Sequence, residues 1–200
     1  MKTISSNHWL IFIFTIIYTI IFGIYFFQQG NLEFVWYVGI LILLIILVSV
    51  LHVYYKFSNG TLWGISIWGL LHMIGGTDID GVRTYARMIY PLFSSEIAGT
   101  SIFRYDQFMH FYVYVVVTIM LYNIINYYIR EDMPWSVLSV LLVLMGIGIG
   151  AINEIIEFLP ALLLPATGVG DYFNTMWDII FNTLGAIAAV VYLGVKRKFR

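Results

Sequence analysis

Long apolar runs dominate this chain, and they leave it few folds to choose from. Of its 200 residues 61% are hydrophobic and only 10% are charged, against about 25% charged in soluble domains. A soluble core of this length could not hide so much apolar surface, so the chain reads as all-α, a polytopic membrane helix bundle. Helices are expected at about 8–28, 34–56, 60–76, 105–129, 134–159 and 171–195. Each approaches the ~20 residues that cross a ~30 Å hydrocarbon core. The third is the shortest and stops at Gly75-Gly76, a natural helix end. The first apolar stretch, from about Trp9 to Phe27, is too long for the core of a signal peptide, and no small-x-small cleavage site follows it. It is expected to stay attached as the first of about six transmembrane helices.

Charge gives the orientation. With the N-terminus inside, Lys2, Lys56, Arg130, Lys196, Arg197, Lys198 and Arg200 fall on the inner face, and only Arg83, Arg87 and Arg104 on the outer. The positive-inside rule then favours N-in and C-in. Trp9, Trp36, Trp63 and Trp135 lie near span ends, as an aromatic belt requires. Of the acids only Glu131 and Asp132 sit inside; nine of the 11 lie at the outer face or in the outer halves of helices. The net charge of −1 gives no basic footprint for nucleic acid, so the lipid bilayer is the expected partner. There is no cysteine, which excludes disulfides, thiolate nucleophiles and cysteine metal ligands.

The expected organisation is a single integral membrane domain over residues 1–200, with two N-terminal helices in 1–60 and a four-helix region in 61–200. Residues 77–104 form its only long loop. Asp78, Asp80, Arg83, Arg87, Glu96 and Arg104 alternate there with Tyr85, Met88, Ile89, Tyr90, Leu92 and Phe93. The mixture suggests an amphipathic segment lying on the membrane or capping the bundle, or else a plain surface connector. The last loop, Leu159 to Gly170, carries Pro160 and Pro165 and is expected to break the fifth helix at Pro160. It starts the sixth at Asp171, a good N-cap residue.

Against this apolar background three motifs stand out, because a charged side chain near hydrocarbon costs roughly 2.5–3.5 kcal/mol on insertion scales. On the fourth helix Asp106 and His110 are i and i+4, with Tyr114 continuing the stripe. The pair suits acid/base work or a metal shell, or simply an N-cap beside an interfacial histidine. On the fifth, Glu154 and Glu157 share a face with Gly146 and Gly150, small residues that permit close helix packing. Two carboxylates one turn apart repel unless a cation, a proton or an arginine lies between them; the plain alternative is that both reach the headgroup region. On the sixth, Asp171, Asn174, Asp178 and Asn182 fall on one stripe, and Asp178 and Asn182 lie too deep to snorkel. His72, one turn from the end of the third helix, is a further candidate for the same cluster. His8 and His52 read as interfacial residues at the inner ends.

Asp106-x-x-x-His110-Phe111-x-x-Tyr114, Gly150-x-x-x-Glu154-x-x-Glu157 and Asp178-x-x-x-Asn182-x-x-Gly185 resemble, in order and spacing, the three polar segments of VanZ-like membrane proteins. Glu157 stands where the VanZ-like pattern has Gln, and Asp171 is added ahead of Asp178. In both respects the chain is more similar to a sister group of predicted inner-membrane proteins of unknown function. The resemblance spans about 70–195. It implies a multi-pass protein of the plasma membrane and no particular reaction.

Three functions compete. As an enzyme, Asp106, His110, Glu154, Glu157 and Asp178 would be catalytic on a lipid or lipid-linked substrate. His72, His110, Glu154, Glu157, Asp171 and Asp178 would be candidate ligands of a divalent metal such as Zn²⁺, Mn²⁺ or Fe²⁺, with Asn182 and Tyr114 beside them, or the acids and imidazoles would work as a metal-free acid/base set. As a transporter, the acids would mark a proton or cation pathway, although the inner halves of the helices are nearly all apolar. As a binding or accessory protein, the cluster would hold a lipid, a cell-envelope ligand or a cation, or act as a polar network fixing helix register.

Overall fold

A computed structural model describes residues 6–95, 100–129, 133–165 and 167–198. Lys2, Glu96, Arg130, Glu131, Asp132 and Arg200, which entered the charge pattern, lie outside the described residues. The helices are α1 (Ser6–Gln28), α2 (Leu32–Tyr55), α3 (Asn59–Gly75), α4 (Tyr105–Ile125), α5 (Trp135–Leu163) and α6 (Tyr172–Lys198). All but α3 are long and apolar enough to cross a membrane by length and composition. At 17 residues α3 is about 26 Å long. Large apolar side chains such as Leu43, Val53, Ile152 and Val191 are exposed along these helices, as lipid-facing residues would be.

The chain forms two compact units, Met1–Thr77 and Asp78–Arg200. The division falls after Thr77 rather than after residue 60, so α3 belongs with α1 and α2. In the first unit α1 packs on both α2 and α3. Thr15 and Ser66 share a hydrogen bond of 2.6 Å, and the Tyr18 hydroxyl donates to the Ser66 carbonyl at 2.9 Å. Phe26 and Phe34 close the turn between α1 and α2, ring on ring at 4.8 Å. Asn31 caps α2 by accepting from the Phe34 N–H, and Ser58 caps α3 by accepting from the Thr61 N–H.

In the second unit α4, α5 and α6 pack together. The buried positions of α6 are Asp178, Phe181, Asn182, Gly185, Ala186, Ala189 and Leu193, a helical stripe of period 3.6. Small residues bring the helices close. A methyl group on Gly185 would strike the Phe111 carbonyl of α4, and one on Gly146 would lie 2.9 Å from Ala186 Cβ. Toward the other end of the unit Leu121, Leu138 and Leu142 form an apolar core, with Trp135, Met145 and Val190 packed against it.

Two features depart from the sequence reading. The segment between α3 and α4 is not merely a connector: β1 (Asp78–Ile79) pairs antiparallel with β2 (Val82–Arg83), and β3 (Met88–Ser95) with β4 (Thr100–Arg104). The first hairpin turns on Asp80-Gly81, both with positive φ (54° and 74°), the Asp-Gly signature of a two-residue hairpin. The expectation that Pro160 ends α5 is corrected. The helix runs on to Leu163, and the Pro160 carbonyl accepts from the Leu164 N–H at 2.8 Å. Proline withholds one donor, that to the Ile156 carbonyl, but its fixed φ is helical; near a helix end the remaining bonds carry the last turn.

Candidate functional site

The site is built at the start of α4. The Gln107 side-chain carbonyl accepts from the Arg104 N–H at 2.6 Å, the reach-back half of a capping box. That contact sets the first turn, in which Asp106 lies favourably toward the positive end of the helix. One turn on, His110 is 5% exposed.

Around that imidazole the three helices of the second unit contribute four carboxylates. Asp106 Oδ1 is 3.5 Å from His110 Nε2, Glu157 Oε1 3.9 Å and Asp178 Oδ1 3.9 Å, while Glu154 Oε1 is 3.7 Å from Nδ1. The other ring contact is with Asn182, whose Oδ1 lies 3.0 Å from Nδ1. That oxygen can only accept, so Nδ1 carries the proton and donates. Nε2 is therefore left facing three carboxylate oxygens. A bare lone pair among anions is repulsive, so a proton or a cation must lie between them.

Asparagines organise the carboxylates. The Asn174 amide donates to Asp106 Oδ2 at 3.0 Å and to Asp178 Oδ2 at 2.7 Å, clamping α4 to α6. Asn153 donates to Glu157 Oε1 at 2.7 Å. Even so, Asp178 Oδ1, Glu154 Oε1 and Asn182 Nδ2 are buried without a hydrogen-bond partner, and Asp178 and Asn182 are both 0% exposed. An orphaned buried polar atom costs about 1–3 kcal/mol, more when charged. Close packing holds them there: a methyl on Gly150 would lie 2.9 Å from Asn182 Nδ2.

Two overlapping groups have ligand atoms within 4.8 Å of one another: Asp106, His110 and Asp178, and His110, Glu154 and Glu157. Metal–ligand bonds of ~2.1 Å put donor atoms roughly 3–4 Å apart, the range seen around Nε2.

Other sequence candidates lie elsewhere. Asp171 is exposed, and its Oδ1 caps α6 by accepting from the Asn174 N–H at 3.0 Å; it is not among the side chains gathered at His110. His72 belongs to the first unit. There it stacks on Trp68 with centroids 5.2 Å apart, flanked by Tyr37 and Phe34. Tyr114 is buried one turn below His110, against Gly185. Arg83 pairs with Asp78 at 3.8 Å and Arg87 with Asp80 at 3.9 Å. Asn153 and Asn174, which are not among the candidate site residues of the sequence, each lie four residues before a carboxylate they bind, a spacing visible in the sequence.

The profile of the family described as "Predicted membrane protein (DUF2238)" matches residues 9–198. The chain belongs to that family. DUF2238 membership makes it a membrane protein with several apolar helices, which implies a bilayer environment. An uncharacterized protein of Thermotoga maritima is 35% identical over 99 residues, 46% of this chain and 49% of the relative. The chain thus spans about half the length of that relative. No solved structure matches.

Proposed function

We propose that this DUF2238 protein is a cation-binding membrane protein, and that His110, Asp106 and Asp178 hold one divalent metal ion in the second unit, with Glu157 beside Nε2. The observation that carries the reading is Nε2 facing three carboxylate oxygens while Nδ1–H is held by Asn182. A metal-ligating histidine typically donates its other N–H to an oxygen in this way. A cation would also balance the charge of four carboxylates gathered at one imidazole. One imidazole with several carboxylates suits Mn²⁺, Fe²⁺ or Zn²⁺.

The three gathered segments are those that resemble the VanZ-like pattern, which supports a VanZ-like reading of the second unit. The excess of Lys and Arg on the other side supports an extracytoplasmic site in a plasma-membrane protein with N-in and C-in. Glu154 Oε1, unpartnered beside this set, is suited to move a proton for a metal-dependent reaction on a lipid-linked substrate. Transport is less favoured, because beyond the site the unit continues through the apolar core of Leu121, Leu138 and Leu142.

The test is metal content. The full chain, purified in detergent, stripped and reloaded with Mn²⁺, is expected to retain about one ion per chain. His110→Ala and Asp178→Asn variants with wild-type helix content should retain none. Folded wild type that takes up neither Mn²⁺ nor Zn²⁺ would overturn the reading, leaving protons to balance the cluster.

A further inference from the structure

In the first unit the buried residues of α2 are Glu33, Phe34, Tyr37 and Leu41, although the helix continues to Tyr55. Beyond Leu41 the packing opens into a cavity of about 710 Å³, within the ~300–1,000 Å³ typical of ligand pockets. Leu44, Ile45 and Val48 of α2 line it together with Ile11 of α1 and Leu62 and Ile65 of α3. One end is different in chemistry. His8, His52 and Lys56 border the cavity there, and no acidic residue lines it among the described residues. The His8 and His52 rings meet edge to face at 4.7 Å, and His52 Nδ1 is buried without a hydrogen-bond partner. Lys56 ends α2 in the left-handed conformation, φ 52°, a position glycine usually takes because a side chain there is strained.

We propose that this cavity binds one anionic phospholipid of the bilayer, an acyl chain lying between α2 and α3 and the phosphate at Lys56, His8 and His52. The walls offer apolar contact, and the mouth sets the Lys56 ammonium beside two imidazoles, where a phosphate group needs donors. Basic pockets between membrane helices hold anionic headgroups by the same combination. Nothing in this assignment depends on the carboxylate cluster of the second unit.

The full chain in mild detergent, offered equal phosphatidylglycerol and phosphatidylcholine and read by native mass spectrometry, is expected to keep one phosphatidylglycerol, preferred about tenfold. Lys56 is exposed, so Lys56→Ala should fold normally and lose about fivefold of that preference, with Lys56→Arg restoring it. Ile45→Trp should obstruct the path of the acyl chain and weaken retention of both lipids. Equal retention of the two lipids, an unchanged preference in Lys56→Ala, or an Ile45→Trp-sensitive dimer in place of bound lipid would each overturn the proposal. So would preferential capture of a polyprenyl phosphate.

Discussion

Helices in the unit from Met1 to Thr77 meet through hydroxyls and rings, whereas those from Asp78 to Arg200 meet through glycines and alanines. Thr15, Tyr18 and Ser66 satisfy one another and nearby carbonyls in the first unit. Gly146, Gly150, Gly185 and Ala186 let the helices of the second unit approach until Asn182 reaches His110. One unit pairs the hydroxyls at its helix crossings and leaves a largely apolar cavity. The other packs tightly and leaves charged groups facing one another. Close packing in the second unit therefore supports a strained arrangement rather than relieving it, which is where function is expected.

That contrast can be broken most directly at Asp178. Replacing it by Asn keeps the shape and the bond to Asn174 but removes one charge, and should lower Mn²⁺ affinity at least about 100-fold, measured by equilibrium dialysis. If affinity holds, Asp178 is not a metal ligand and its burial is structural. Next in size is Gly185→Ala, whose methyl group meets backbone, the Phe111 carbonyl; it should destabilise the second unit by about 2 kcal/mol in thermal or denaturant unfolding. The matching Gly69→Ala meets the Tyr18 hydroxyl and, at 3.2 Å, Leu41 Cδ1, side chains rather than backbone, and should cost less. Equal losses would mean the two units pack alike. Asn182→Ala should reduce metal affinity about tenfold, since the ring loses the acceptor that fixes its tautomer. The smallest change expected is Ser66→Ala, about 1 kcal/mol for the lost hydrogen bond to Thr15. It should leave Mn²⁺ binding untouched, which the same dialysis checks.

Saturating metal provides a further check. At about 100 times its dissociation constant a ligand stabilises by about 2.7 kcal/mol. Mn²⁺ should therefore raise the unfolding temperature of wild type and not of Asp178→Asn.

Hydropathy made the helices legible, because a bilayer demands long apolar runs and little else fits them. Helical periodicity grouped Asp106 with His110, and Glu154 with Glu157, since neighbours three or four residues apart share a face whatever surrounds them. The loop was harder. Asp80-Gly81 carried a hairpin signal, but two-residue strands have almost no sequence pattern of their own. Pro160 misled because one missing donor near a helix end can be tolerated. Asp171 and Asp178 lie on one stripe of α6, yet one caps the helix in the open and the other is wholly buried. Periodicity fixes a direction around a helix, not a depth.

The sequence by itself determined that this is a multi-helix membrane protein and which residues carry its unusual charge. Only the tertiary structure decided that four carboxylates from three helices converge on one histidine, that Asn182 turns its ring, and that Asn174 ties Asp106 to Asp178. Local periodicity acts within a helix, whereas these contacts depend on which helices pack and how closely, set by small side chains at their crossings.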